Sequence, residues 1–335
     1  MNNELPYIDI PMLLETLNDA ARIVMTTHVN PDGDALGSEA AMYRFLSSRG
    51  TDVRIINADV VPENLSLLED DAMFETWDGA AHRDVLLDAD CILCLDFNQS
   101  DRVRDMEETM LAGSGRRIVI DHHLNPQPFA DAYLTVTDAS STAEIVYDVL
   151  VAAGFAIDRR TALALYVGIM TDTGSFRFER TTPRLHRITG DLLETGIDPM
   201  SIHRRIYDDY PIERTMLLGR ILAGIERRCG GRASLLAVTR EMFEETATTV
   251  EDVENIVNYG LAIRGVELTA LLTQVEGGWK VSFRSRGEIA VNDIAGEFGG
   301  GGHRLASGAR VEDAELEELK DRIGERFCRA LGESC

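Results

Sequence analysis

Basic residues are in short supply in this chain. Over 335 residues, 33 Lys and Arg stand against 57 Asp and Glu, a formal net charge of −24. Non-specific binding to long duplexes needs broad basic surface, so this balance argues against long duplex nucleic acid as a partner. It does not exclude a small anionic substrate, because a metal cluster and a few arginines make one local positive site. Over most of the surface the charge serves solubility or a salty cytoplasm. Long apolar runs are missing as well. None approaches the roughly 20 residues of a membrane span, so no membrane partner is expected. Met1 to Ile10 has neither the basic region nor the apolar core of a signal peptide. Cysteine is sparse: five, odd in number and scattered, which predicts a reducing, cytoplasmic setting. Cys91 and Cys94 have C-x-x-C spacing but sit in the apolar stretch Cys91-Ile92-Leu93-Cys94-Leu95. A redox pair normally opens a helix, so core packing is the expected role.

What is present is enough for two cores. Hydrophobic content of 44% and charged content of 27% are ordinary for a globular chain. Short apolar segments at 22–26, 53–56, 91–95, 117–120 and 133–136 read as strands. They alternate with helical patterns at 11–20, 35–48, 142–153 and 159–171, and another helix starts at Thr182-Pro183. That alternation predicts an α/β fold with a parallel sheet covered by helices on both faces. Residues 196–212 carry two prolines and dense charge and read as a linker, followed by a helix over about 213–227. Beyond it, strands at 234–238, 266–272 and 279–283 and helices at 250–259 and 313–330 predict a smaller, mixed α/β domain. The expected organisation is a first domain over 1–195, a linker and connecting helix over 196–227, and a second domain over 228–335.

Open parallel sheets bind ligands at the carboxyl ends of their strands. Four such ends or following loops carry His28, Asp32 and Asp34; Asp96; Asp121, His122 and His123; and Asp172. A carboxylate and two imidazoles at the end of a core strand are costly to bury without partners. The inventory is oxygen plus imidazole, without thiolate, which suits Mn, Mg or Co better than a structural zinc. Six ligand side chains (His28, Asp32, Asp34, Asp96, His122 and Asp172) exceed the needs of one four-coordinate ion. Two ions sharing a carboxylate would use them all, an arrangement suited to phosphoryl transfer.

His28-x-x-Pro31-Asp32-x-Asp34-x-x-Gly37-Ser38, Asp96, Asp121-His122-His123 and Asp172 resemble the four motifs of the DHH phosphoesterase superfamily. Gly299-Gly300-Gly301-Gly302-His303, with Ala306 and Gly308, resembles the glycine-rich signature of the DHHA1 domain. The resemblance spans roughly residues 20–312, and the length and spacing are most similar to the nanoRNase/pAp phosphatase branch. It implies two Mn ions, one on His28, Asp32 and Asp96, the other on Asp34, Asp96, His122 and Asp172, with Asp96 bridging. It also implies Asp121 orienting an imidazole and His123 facing the substrate phosphate, while a metal-bridging hydroxide attacks phosphorus.

Arg284 and Arg286 share one face if both lie on a strand, where two guanidiniums can take phosphate bidentately. Arg264 is a weaker candidate of the same kind. Gly300, Gly301 and Gly302 are expected to bring backbone N–H groups up to a ligand, with His303 beside them. With these features, the resemblance implies hydrolysis of very short oligonucleotides (nanoRNA, linear dinucleotides) to mononucleotides, and it leaves 3′-phosphoadenosine 5′-phosphate open as a further substrate. The alternatives are a single-strand exonuclease, another DHH phosphodiesterase, or a nucleotide-binding regulator without catalysis. The last would be expected to have lost ligands. The sequence leaves a homodimer open.

Overall fold

The computed structural model of the chain describes residues 5–69 and 73–333. It divides into two compact units, Met1–Asp209 and Tyr210–Cys335. The first unit runs α1 (Ile10–Asp19), β1 (Arg22–Thr26), α2 (Gly33–Ser48), β2 (Asp52–Asn57), β3 (Phe74–Thr76), α3 (Gly79–Leu87) and β4 (Cys91–Leu95). It continues with α4 (Glu107–Ala112), β5 (Arg116–Asp121), β6 (Ala132–Thr135), α5 (Thr142–Ala152), α6 (Arg159–Asp172), α7 (Pro183–Glu194) and α8 (Pro199–His203).

The strands form one sheet in the order β3-β2-β1-β4-β5-β6, every pair parallel, as the alternation of strands and helices predicts. Side chains alternate between two cores, as pleating requires. Ile23, Met25, Cys91, Leu93, Leu95, Ile118 and Ile120 enter one core. Val24, Ile92, Cys94 and Val119 enter the other. Cys91 and Cys94 are therefore packing residues. Burial pushes the Cys91 thiol up to about 12 and Cys94 also well above its usual value, so neither is a nucleophile at neutral pH.

The order of the strands opens a crevice. From β1 the chain moves outward to β2 and β3, then returns to the other side of β1 as β4. The carboxyl ends of β1 and β4 thus flank a topological switch point, where open sheets bind their ligands. Helices α2, α5 and α6 pack against one another beside it. Gly168 on α6 permits that approach: a Cβ there would lie 2.6 Å from the Ala143 Cβ and 3.0 Å from Asp34 Oδ1.

The expected linker is built differently. Ile197, Ile202 and Ile206 are buried in the first core, so the segment from 196 to 208, through α8 and a π-helical turn at Arg204–Asp208, packs onto the first unit. Its charges lie between apolar anchors four and five residues apart, a spacing that the dense charge hides.

The second unit contains α9 (Ile212–Ala223), β7 (Glu226–Arg228), β8 (Ala233–Val238), α10 (Arg240–Thr246), α11 (Val257–Leu261), β9 (Leu268–Val275) and β10 (Gly278–Ser285). It ends with α12 (Val291–Glu297), β11 (Gly301–Gly302), β12 (Ala306–Glu312) and α13 (Leu316–Leu331). The sheet order is β11-β12-β10-β9-β8-β7, mixed, with only β8–β9 parallel. The helix expected over 250–259 is instead a 3-10 turn at Val250–Val253 and the short α11, broken where Asn255 turns left-handed (φ 63°).

Cys229 and Cys328 form a disulfide, which corrects the expectation of unpaired thiols drawn from an odd cysteine count. The bond ties α13 to the turn before β8 across 99 residues of sequence. Loop closure on that scale contributes about 4–5 kcal/mol in the chain-entropy account. Reduction, or Cys328→Ser, is expected to lower the denaturant midpoint of the second unit correspondingly. Identical unfolding curves with and without reductant would show that the bond contributes nothing. Among the described residues, no helix is long and apolar enough to cross a membrane.

Candidate metal centre

Each ligand-bearing turn begins where a core strand or helix runs out. The extended chain after β1 carries His28, then Asp32 caps α2, its Oδ1 accepting from the amides of Asp34 (3.0 Å) and Ala35 (3.1 Å). Asp96 ends β4 with a left-handed backbone (φ 65°), an uncommon conformation that Asp and Asn tolerate best. Asp121, His122 and His123 end β5. Asp172 departs from the expected pattern, because it is the last residue of α6 rather than a residue at the end of a strand. α6 brings it to the crevice by packing along α2.

The six candidate ligands fall into two groups, His28 with Asp32 and Asp96, and Asp34 with His122 and Asp172; a third group, Asp96 with His122 and His123, overlaps both. Asp96 stands between the first two. Its Oδ2 lies 3.5 Å from His28 Nε2 and its Oδ1 3.7 Å from His122 Nε2. His28 Nε2 is 4.0 Å from Asp32 Oδ2. His122 Nε2 is 3.4 Å from Asp172 Oδ2 and 3.9 Å from Asp34 Oδ2. These separations are long for hydrogen bonds. Two ligands each ~2.1 Å from one ion lie about 3.0–3.5 Å apart, so modest tightening would seat a cation in each group.

The imidazoles present the atoms a cation needs. His28 Nδ1 donates to the Val29 carbonyl (2.9 Å) and His122 Nδ1 to the Ala139 carbonyl (3.3 Å). A carbonyl can only accept, so both rings carry the proton on Nδ1 and turn the Nε2 lone pair toward the carboxylates. Burial holds His122 below its usual pKa, which favours the neutral ligand form. For His28, burial works to lower the pKa but Asp96 and Asp32 raise it overall.

The carboxylates carry more charge than the imidazoles balance. Asp34 and Asp172 are pushed well above the usual carboxylate range, by burial first and by the charge of Asp96 next. Burial acts in the same sense on Asp96, but His28, His123 and His122 more than offset it and hold its pKa low. A buried cluster of acids with two lone pairs aimed into it fits divalent cations bound by oxygen and nitrogen.

His123 lies in the third group, beside Asp96 and His122, but its nearer partner is Asp121. Its Nδ1 is 3.8 Å from Asp96 Oδ1 but only 2.6 Å from Asp121 Oδ1, and Asp121 Oδ2 also accepts its backbone amide (3.1 Å). Asp121 is fully buried, whereas the His123 ring is about a quarter exposed. Burial lowers the His123 pKa, but Asp121 and Asp96 raise it overall, to about 9.

Other supports have no signal in the sequence. Thr142, the first residue of α5, donates its hydroxyl to Asp96 Oδ1 (2.7 Å) and its amide to Asp34 Oδ2 (2.7 Å). The Ala143 amide takes Asp34 Oδ1 (2.8 Å). Buried Asn98 donates to the His123 carbonyl (3.1 Å). Beneath the crevice, Glu39 Oε2 accepts from Asn57 Nδ2 (2.7 Å), and Asn57 Oδ1 accepts from the Thr27 amide (3.0 Å). The Thr27 hydroxyl in turn donates to the Leu95 carbonyl (2.8 Å). This relay links the turns that carry His28 and Asp96.

Glu39 is fully buried, and burial pushes its pKa up to about 8. A carboxyl raised in the folded state stabilises the fold fully below about 4.5, its unfolded value, and loses that contribution as pH rises through about 8. Each pH unit in that window costs about 1.4 kcal/mol. Glu39→Gln keeps the acceptor for Asn57 and removes the ionisation. Its melting temperature relative to the parent chain is expected to climb between pH 4.5 and 8 and then level off. Parallel pH profiles for the two proteins would contradict the buried, proton-dependent role.

In the second unit, the residues expected to grip substrate are arranged less simply. Arg284 is on β10, partly buried, and its Nη1 donates to the Phe283 carbonyl (2.9 Å). Arg286 lies one residue beyond the strand, exposed, with its guanidinium on the Leu261 carbonyl. The two therefore do not share a strand face, because β10 ends at Ser285. Arg264 is exposed beyond α11. The Gly300 amide donates to the Ala295 carbonyl (2.9 Å), so it is not directed at a ligand. A Cβ there would lie 2.0 Å from the Gly308 carbonyl oxygen, so glycine is required for packing against β12. Gly301 and Gly302 form β11, an exposed strand paired with β12, and His303 follows at the surface.

The family model "DHH family, N-terminal domain" matches residues 22–169, and the "DHHA1 domain" model matches residues 229–329. A Thermus thermophilus protein named bifunctional oligoribonuclease and PAP phosphatase NrnA is 31% identical over 90% of this chain and 87% of its own length. A Bacillus subtilis protein of the same name is 28% identical over 89% of this chain and 92% of its own. Among solved structures, an exopolyphosphatase-related protein from Bacteroides fragilis superposes with a TM-score of 0.92 at 32% identity, covering 97% of both chains.

Proposed function

Because the chain belongs to the DHH phosphoesterase family, pairing a DHH domain with a DHHA1 domain, we propose that it hydrolyses the phosphodiester of very short oligonucleotides to release mononucleotides. The same centre also dephosphorylates 3′-phosphoadenosine 5′-phosphate in this reading; its relatives are named PAP phosphatases as well as oligoribonucleases. The observation that carries the reading is Asp96, whose two carboxylate oxygens face two imidazoles on opposite sides, each imidazole with its own further carboxylates.

His28, Asp32 and Asp96 would hold one divalent ion, and Asp34, Asp96, His122 and Asp172 the other. Mn is the first choice for this oxygen and imidazole set, with Mg or Co as substitutes. When bound, two such ions supply a nucleophile from water near neutral pH and offset charge on the phosphoryl oxygens. Asp121 fixes the His123 ring and keeps it charged, so His123 donates to a phosphate oxygen whose negative charge grows during attack. The substrate's far end is assigned to the second unit, through Arg284, Arg286, Arg264, Gly301, Gly302 and His303. Gly300 shapes that turn without offering its amide.

Short RNA ends arise from RNA decay, which places the work in the cytoplasm. The Cys229–Cys328 bond removes the cysteine argument for that compartment and leaves the substrate argument. All ligand positions are filled, which weighs against a regulator that has lost catalysis.

Replacing His303 by alanine tests the assignment of the second unit. KM for a dinucleotide is expected to rise on the order of tenfold or more, as for a lost charge-assisted contact, with metal content unchanged. Loss of metal in that variant would overturn the division of labour.

A further inference from the structure

The first turn of α5 does more than start a helix. Its capping duty is met by Ser141, whose hydroxyl accepts from the Glu144 amide (3.1 Å). Thr142, next in line and fully buried, has no such duty. Its hydroxyl reaches across 46 residues of sequence to Asp96 Oδ1 at 2.7 Å. Its amide and that of Ala143 bind both oxygens of Asp34, which sits at the positive end of the helix. One residue thus touches two of the four side chains assigned to the second ion.

The oxygen that Thr142 takes is the one on the His122 side, 3.7 Å from His122 Nε2, while the other faces His28 at 3.5 Å. Left to itself, a carboxylate on a left-handed backbone can rotate about χ2 and exchange its oxygens. A hydroxyl donor on one of them stops that rotation and leaves Oδ1 one lone pair, directed at the second group.

We propose that Thr142 is a positioning residue of the reaction, its hydroxyl fixing which Asp96 oxygen serves which ion and so defining the second ion's site. This rests on the two-ion reading of the centre. The chemistry that acts is the O–H; the backbone amide also serves the second site, through Asp34 Oδ2, and every side-chain variant retains it.

Two substitutions separate hydroxyl from shape. Thr142→Val keeps the volume and the amide and loses the O–H. Thr142→Ser keeps the O–H and loses the methyl. Titration of the metal-free full chain with Mn, followed calorimetrically, is expected to give two sites for the parent and for Thr142→Ser. For Thr142→Val the first site is expected to stay within about twofold, while the second weakens by ~10–100-fold, the range for residues that orient metal ligands. Turnover by Thr142→Val at limiting Mn falls by the same factor and recovers as Mn is raised. Equal affinities in parent and Thr142→Val overturn the proposal, as does equal weakening of both sites. Loss of the second site in Thr142→Ser as well would assign the effect to packing and overturn it too. If Thr142→Val does not fold, Thr142→Ser with parental affinities beside Thr142→Ala with a weakened second site carries the same meaning, and equality of those two overturns it. A parent chain that binds fewer than two ions overturns the two-ion reading itself, and this assignment with it.

Discussion

Replacing Asp96 by asparagine is expected to cut turnover of a dinucleotide by about 10³-fold or more, beyond what loss of one electrostatic donor costs. The substitution is nearly isosteric, and asparagine tolerates the left-handed backbone at this position (φ 65°) as well as aspartate does. The strand end should therefore survive, and circular dichroism should not change. What changes is that one of two metal-facing oxygens becomes an NH₂, which cannot ligate. If the amide nitrogen takes the His28 side, the first ion loses a ligand. If it takes the His122 side, the second ion loses one, and the Thr142 hydroxyl meets a donor instead of an acceptor. Either way Asp96 could no longer bridge the two proposed ions. Turnover within tenfold of the parent chain would show that Asp96 does not join two ions.

Chelation is expected to have the second large effect. Removal of divalent ions should abolish turnover and also destabilise the first unit. Asp34 and Asp172 lie close together in a crevice where burial and the charge of Asp96 push them toward protonation. Cations relieve that repulsion only in the folded state. At Mn a thousandfold above its dissociation constant, the gain is about 4 kcal/mol. For a unit of this size that is a rise in melting temperature on the order of 10 °C. Because protons and cations compete for the same carboxylates, the Mn-dependent rise should shrink as pH falls. A melting temperature unmoved by chelator and by added Mn would count against a metal site.

How much of this was legible in the sequence depended on distance along the chain. Asp121, His122 and His123 could be found because they end an apolar strand, where polar residues have no packing role. His28, Asp32 and Asp34 could be found because Pro31 and Gly33 mark the turn that presents them. Asp172 was found at the end of an expected helix, but not the packing that carries that helix end to the crevice. The sequence around it contains no strand signal, and only the packing of α6 along α2, made close by Gly168, brings it to the crevice.

Thr142 illustrates the limit more sharply. Ser140-Ser141-Thr142 announces a helix start, but nothing local says that the third hydroxyl serves a carboxylate 46 residues earlier. Glu39, Asn57 and Thr27 are hidden for the same reason, since their relay spans three separate elements. In the second unit the errors were of register and bonding. Arg284 and Arg286 are two apart, but β10 stops between them, and the glycines from 299 to 302 satisfy a turn and a short strand as well as any ligand. Cys229 and Cys328 pair across 99 residues, and no count of cysteines reveals a partner at that range.

The measurement that bears most directly on the proposed activity is Mn-dependent turnover by the full chain on a length series. The series runs from 3′-phosphoadenosine 5′-phosphate through dinucleotides and five-mers to a long single strand, with inorganic pyrophosphate as control. Fastest cleavage of the shortest species, with mononucleotide as product and no turnover after chelation, is the predicted result. Turnover confined to the long strand or to pyrophosphate would contradict the substrate class. Mn binding without turnover of any of them would contradict catalysis itself.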